Sequence, residues 1–151
     1  MSPSNELLKF MKDAEGIKYQ RYKDSAGKTT IGIGHRIYPG DTVTAVSELG
    51  ANEILMRDLK VAVDAVNKQV TVPLKQHEFD ALVAMVFNIG ADEKLGFGKS
   101  KLKANLNSGQ PIIEDNFTSW NIAGGKPSQG LTNRRTAEWL LFTTGTYRAH
   151  W

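Results

Sequence analysis

Apolar positions follow two rhythms along this chain. Over residues 3–15, Leu7, Leu8, Phe10, Met11 and Ala14 recur at the spacing that gathers one face of a helix. Ser2 and Pro3 suit its start, and Gly16, tolerant of the left-handed region, suits its end. The period then shortens. Residues 18–23 and 29–34 read as two strands, with Ile31 and Ile33 on one face and Gly32 and Gly34 leaving the other bare. Between them Asp24-Ser25-Ala26-Gly27 has Asp at its head and Gly at its foot, which is type I turn chemistry.

The helical rhythm returns over residues 44–70, where Leu49, Leu55, Leu59, Ala62, Val63, Val66 and Val70 form a narrow stripe. At 1.5 Å per residue this helix spans roughly 35–40 Å, more than a small domain needs, and is expected to join two lobes. Gly50 is expected to interrupt its start. Residues 76–88, with Phe79, Leu82, Val83, Val86 and Phe87, form the expected centre of a second core. Short helices follow over 100–106, 112–120 and 133–142, with a flexible glycine-rich loop at 124–130 and a tail to Trp151. The prediction is an α+β, mainly α fold in one domain, 1–151. Its parts are an N-terminal lobe over about 16–58, a linking helix over about 44–70, and a helical lobe over about 71–151 that includes the first helix.

Composition narrows the function classes. A chain of 151 residues with 40% hydrophobic side chains can build a real core. The absence of cysteine excludes disulfides and thiolate chemistry. No apolar run approaches a membrane span, and the N-terminus lacks the charged-then-apolar layout of a signal peptide. A net charge of +3 favours polyanions such as nucleic acid, anionic lipid or a carboxylate-bearing wall polymer, but ordinary solubility accounts for so small an excess. Lys99, Lys101 and Lys103 lack interleaved aromatics, so nucleic-acid binding is not expected. His35, His77 and His150 stand in unrelated settings, and no metal or cofactor is expected.

The candidate chemistry lies near the N-terminus. Glu15 ends a helix, where the macrodipole disfavours an ionised carboxylate and suits a general acid. Asp24 sits in a polar turn and Thr30 follows on the return strand. Two carboxyl groups facing each other across a gap are what glycosidic cleavage requires. Each residue also has a plain explanation: a surface glutamate, a turn aspartate, a strand threonine.

The larger pattern weighs against the plain explanations. The blocks are Asp13-x-Glu15-Gly16, Tyr22-Lys23-Asp24, Thr30-Ile31-Gly32-Ile33-Gly34-His35, Met85-Val86-Phe87-Asn88-Ile89-Gly90, Gly96-Phe97, Asn133-Arg134-Arg135 and Phe142-Thr143-Thr144-Gly145-Thr146-Tyr147. In order and rough spacing they resemble the phage-type lysozymes, the family typified by the T-even coliphage enzyme. The 124–130 loop is closer to the shorter lambdoid-type members. The resemblance implies a lysozyme-like, two-lobed, mainly helical fold with a small N-terminal sheet. It implies hydrolysis of the β-1,4 bond between N-acetylmuramic acid and N-acetylglucosamine in peptidoglycan. Glu15 would be the proton donor, with Asp24 and Thr30 handling the water and Arg134 pairing with Glu15. The family's inverting outcome would need carboxyl groups roughly 6.5–9.5 Å apart. It also implies cleft positions for Arg36, Phe87, Asn88 and Ser100, and a structural pair between His35 and Asp58.

The expected role is that of an endolysin, a monomer without stable membrane association. It would be made in the host cytoplasm and act on the wall after release. The competing expectation is a catalytically silent wall-binding module on the same fold, for which an intact Glu15, Asp24 and Thr30 set would be unnecessary.

Overall fold

The first helix opens at Ser4, two residues later than the sequence pattern suggests. The structure is a computed structural model that describes residues 1–24 and 26–149. Ser25 of the expected turn, and His150 and Trp151 of the tail, lie outside the described residues. Helix α1 (Asn5–Glu15) is capped by the Ser4 hydroxyl, which accepts from the Leu7 N–H at 3.0 Å. Pro3 stays outside the helix. Ser4 is preferred to Ser2 because its hydroxyl also donates to Asp80, a tertiary partner that Ser2 lacks.

Strands β1 (Lys18–Lys23), β2 (Thr29–Gly32) and β3 (His35–Arg36) form one antiparallel sheet in that order. The second strand stops at Gly32 instead of continuing to residue 34. Gly32 and Gly34 have φ of 66° and 70°, the left-handed region that breaks a strand and suits glycine. The chain therefore turns back, and an unforeseen third strand sets Arg36 beside Thr30 and His35 beside Ile31.

Helix α2 (Glu48–Gln69) has 22 residues, a length of about 33 Å. Ser47 caps it by accepting from the Gly50 N–H at 3.0 Å, so Gly50 sits inside the first turn and does not interrupt it. Residues 44–46 stay extended: Val46 N–H donates to Tyr19 O at 2.9 Å, and Ala45 bridges to Gln20. Leu49, expected on the buried stripe, is 69% exposed.

The remaining helices are α3 (Gln76–Ile89), α4 (Lys101–Ser108), α5 (Asp115–Thr118) and α6 (Gln129–Thr144), with a 3₁₀ turn at Gly96–Lys99. Part of the loop expected to be flexible forms a two-stranded hairpin, β4 (Ile122–Ala123) with β5 (Lys126–Pro127). Its far end is absorbed into α6, which begins four residues earlier than its apolar pattern because Ser128 caps the Leu131 N–H at 3.2 Å. Helix α3 is buried along most of its length and packs on α2 and α6, while α2 also touches β2 and β3. The core accordingly runs from Leu7 and Met11 through Leu55, Leu59 and Leu82 to Phe117 and Leu141.

Candidate active site

Helix α1 ends with the Glu15 carboxyl aimed at α6. Its Oε1 lies 2.5 Å from Arg134 Nη1, and both side chains are mostly buried. On the other flank the β2–β3 turn passes close beneath the carboxyl. A Cβ on Gly34 would sit 3.2 Å from Glu15 Oε2, so two independent constraints, φ and space, call for glycine there. Oε2 has no hydrogen bond among the described residues.

Asp24 is held by its own turn. Its Oδ1 accepts from the backbone N–H of Ala26 at 2.9 Å and of Lys28 at 2.8 Å. Oδ2 has no such bond among the described residues. Asp24 lines a cleft of about 530 Å³ together with Asn88, Asn133 and Arg134. Thr30 is 3% exposed, and its hydroxyl donates to Lys28 O at 3.0 Å, leaving its lone pairs able to accept. Tyr22, paired with Thr30 across the sheet, stands within the field of both carboxyl groups. Burial pushes its phenol up, and Glu15 and then Asp24 push the same way. Tyr22 stands in the Tyr22-Lys23-Asp24 motif with no role legible there; only the fold brings its phenol within the influence of both Glu15 and Asp24.

With this geometry in view, the relationship to known proteins is decided. The Phage lysozyme family model matches residues 12–138. The chain belongs to the phage lysozyme family. It is 36% identical over 152 residues to the endolysin of Bacillus phage PZA, covering 97% of this chain and 57% of that protein. It is 35% identical over 151 residues to the endolysin of Salmonella phage P22, covering 95% and 99%. The solved endolysin from Escherichia coli O157:H7 phage FAHEc1 superposes with a TM-score of 0.86 at 33% identity, covering 98% and 97%. The chain thus spans little more than half of the PZA relative and nearly all of the P22 relative.

In this phage lysozyme chain, Arg134 is one part of a larger charged group on α6. Its Nε lies 3.4 Å from Glu138 Oε1. Burial alone would lower its pKa, but Glu15 and Glu138 outweigh it and hold the guanidinium above its ordinary value. Arg135 and Glu138 are fully buried. Arg135 Nε lies 2.8 Å from Glu138 Oε2, and its Nη2 donates at 3.0 Å both to Glu138 Oε1 and to Asn88 Oδ1. Burial pushes the Glu138 carboxyl up, with Arg135 and Arg134 pulling it back. Glu138 escaped sequence reasoning altogether. Its signal was the Arg134/Glu138 spacing of four and the Arg135/Glu138 spacing of three, which place three charges on one helix face beside Ala137 and Leu141.

The other predicted residues fall in three places. His35 Nδ1 lies 2.8 Å from Asp58 Oδ2. His35 and Asp58 line a smaller cavity of about 270 Å³ with Arg36, Tyr38 and Phe87, where the Arg36 guanidinium stacks 4.9 Å from the Tyr38 ring centre. Asn88 lies in the carboxylate cleft and in the neighbouring pocket beside Trp120. Ser100 is not brought to the carboxylates. It caps α4, accepting from Lys103 N–H at 3.1 Å and donating to Phe97 O at 2.7 Å, and lines a separate depression with Asn116 and Trp120. Among the described residues no group of His, Cys, Asp or Glu side chains could hold a metal ion.

Proposed function

We propose that this chain is an endolysin-type muramidase that hydrolyses the β-1,4 bond between N-acetylmuramic acid and N-acetylglucosamine in peptidoglycan. The observation that carries this reading is that Arg134, which pairs with Glu15, lines one cleft together with Asp24. Arg134 occupies Oε1, so Glu15 delivers its proton to the leaving glycosidic oxygen through Oε2. Asp24 is anchored through Oδ1 by two backbone amides, so Oδ2 takes the proton of the attacking water. The Thr30 oxygen accepts from that water and aims it, because its own proton is committed to Lys28 O. The positive Arg134 and the negative Asp24 bracket a transition state in which charge develops on the sugar ring.

In this reading α2 links a sheet-bearing lobe to a helical one, and the glycan strand lies between them. Arg36, Phe87 and Asn88 meet the strand, and the His35–Asp58 pair is structural. The protein acts as a monomer, waits in the host cytoplasm and reaches the wall after release. No described helix is long and apolar enough to cross a membrane.

Clearing of chloroform-permeabilised Gram-negative cells, with Glu15→Gln beside the parent, tests the assignment. The variant should lose roughly 10²–10⁴-fold in rate, the range set by loss of a general acid. Equal clearing by the two proteins refutes Glu15 as the acid. Wall binding by a parent that never clears would instead identify a silent binding module.

A further inference from the structure

Arg134 has two anchors among the described residues, and both are carboxyl groups. Its Nη1 lies 2.5 Å from Glu15 Oε1, and its Nε lies 3.4 Å from Glu138 Oε1. Its Nη2 is buried without a hydrogen-bond partner there. The two anchors differ in one respect. Glu15, read as the general acid, is neutral before it gives up its proton and negative afterwards. Its attraction for the guanidinium is therefore weakest in the form that starts the reaction, because a neutral carboxyl offers no net charge to a cation.

Glu138 does not alternate in this way. It is fully buried, and it is absent from the lining of the cleft that holds Asp24 and Arg134. Among the described residues every polar contact it makes is with a guanidinium. Its Oε1 accepts from Arg135 Nη2 at 3.0 Å as well as from Arg134 Nε, and its Oε2 lies 2.8 Å from Arg135 Nε. An arginine has no acceptor and keeps its proton, so a proton on Glu138 would face only donors. It would also leave two cations uncompensated in a dry site. Burial works against the Glu138 charge, and Arg135 and then Arg134 support it. Glu138 stands one helical turn beyond Arg134, so the α6 backbone fixes the spacing between them. Its charge cancels one of the two arginines and leaves a single positive charge to meet the anion that Glu15 becomes.

We propose that Glu138 is a positioning residue for the reaction. It is the permanent anion that holds the Arg134 guanidinium in place while Glu15 is neutral, so that Glu15 meets the glycosidic oxygen in one fixed orientation. Glu138 touches no substrate and acts only through Arg134. This rests on the muramidase reading with Glu15 as the acid, and it adds a buried residue to that machinery.

The first test leaves Glu138 untouched. Glu15→Gln imitates the neutral acid, and nitrogen NMR follows the Arg134 Nε–H in that variant and in the parent. The signal should exchange slowly with solvent in both, because Glu138 still holds the guanidinium. Loss of that protection in Glu15→Gln overturns the proposal. The second test is kinetic. Glu138→Gln alone strands the Arg135 charge, so Arg135→Met and Glu138→Met are combined. Exchanging a buried pair for apolar residues of similar length should keep stability near that of the parent. On soluble wall glycan kcat should still fall about tenfold or more, the scale of one charge-assisted hydrogen bond, with KM within about twofold. The same pair of changes in an Arg134→Met background should leave kcat within about twofold of Arg134→Met alone, since a loss that runs through Arg134 cannot occur twice. A loss that runs through the broken Arg135–Asn88 bond would persist in that background. A folded double variant with the parent kcat, or a kcat loss equal with and without Arg134, overturns the positioning role. If the double variant does not fold, the NMR comparison decides it. A parent with the protected Arg134 signal that cleaves no glycan would leave the hold of Glu138 on Arg134 standing and remove the muramidase reading.

Discussion

The hairpin that carries Asp24 and the α3–α6 pair that carries Asn88 and Arg134 hold their polar groups in opposite ways. In the hairpin the partners are close in sequence and mostly solvated. Asp24 bonds the amides of Ala26 and Lys28, and Thr30 bonds the carbonyl of Lys28. In the helix pair Arg135, Glu138 and Asp80 are buried, and beside the local Arg135–Glu138 pair their other partners are remote. Arg135 reaches Asn88 across 47 positions. Asp80, on α3, accepts from Tyr147 across 67 positions and from Ser4 across 76. A turn can hold a carboxylate in place by itself, whereas a buried charge needs several elements assembled around it before its desolvation is offset.

The comparison breaks most sharply at Glu138. Glu138→Gln takes the anion from between two guanidiniums in a dry site and should cost about 3–5 kcal/mol, read from denaturant melts. A cost below about 1 kcal/mol would mean that the network is already wet, and the contrast between the two regions would collapse. Gly34→Ala probes the hairpin side. A Cβ there meets Glu15 Oε2 at 3.2 Å and the residue sits at φ 70°. Stability should fall by about 1–2 kcal/mol. Activity should fall further than that loss explains, because the displaced atom is the proposed proton donor. An active variant with a normal melting temperature would show that the turn is looser than its contacts imply.

The smallest effect is a pH dependence on the helical side. Burial first, and then the hydrogen bond it donates to Asp80, push the Tyr147 phenol up to about 12. A raised folded pKa means that the bond contributes fully below the phenol's ordinary value and is lost as pH climbs through the folded one. Stability should therefore decline between about pH 10 and 12, by about 1 kcal/mol because solvent still reaches the ring. Tyr147→Phe should flatten the decline. A slope unchanged in that variant would assign the loss to other groups.

What could be read in advance follows the same division. The Asp24 turn, the Gly16 stop and the buried face of α3 were legible because each depends on neighbours within about four residues. The same local reasoning placed Glu15, Asp24 and Thr30 in one stretch of chain. It went wrong where a remote partner decided. Ser4 displaced Ser2 as a cap because Asp80 lies beside it, and α6 gained a turn when Ser128 capped it. The third strand was missed because two positive-φ glycines were read as strand residues.

The order of apolar and polar residues was enough to specify six helices, the hairpin bend and the carboxylate it carries, since helix faces, caps and turns form from contacts within a few positions. Packing alone decided that Gly34 would pass beneath Glu15 and that Arg135 would reach Asn88, and the Arg134–Glu15 contact, implied beforehand only by the family resemblance, also forms only in the assembled fold. Those contacts join groups far apart along the chain. Their charges are tolerable in the interior only when every partner has arrived, so no single segment of sequence could announce them.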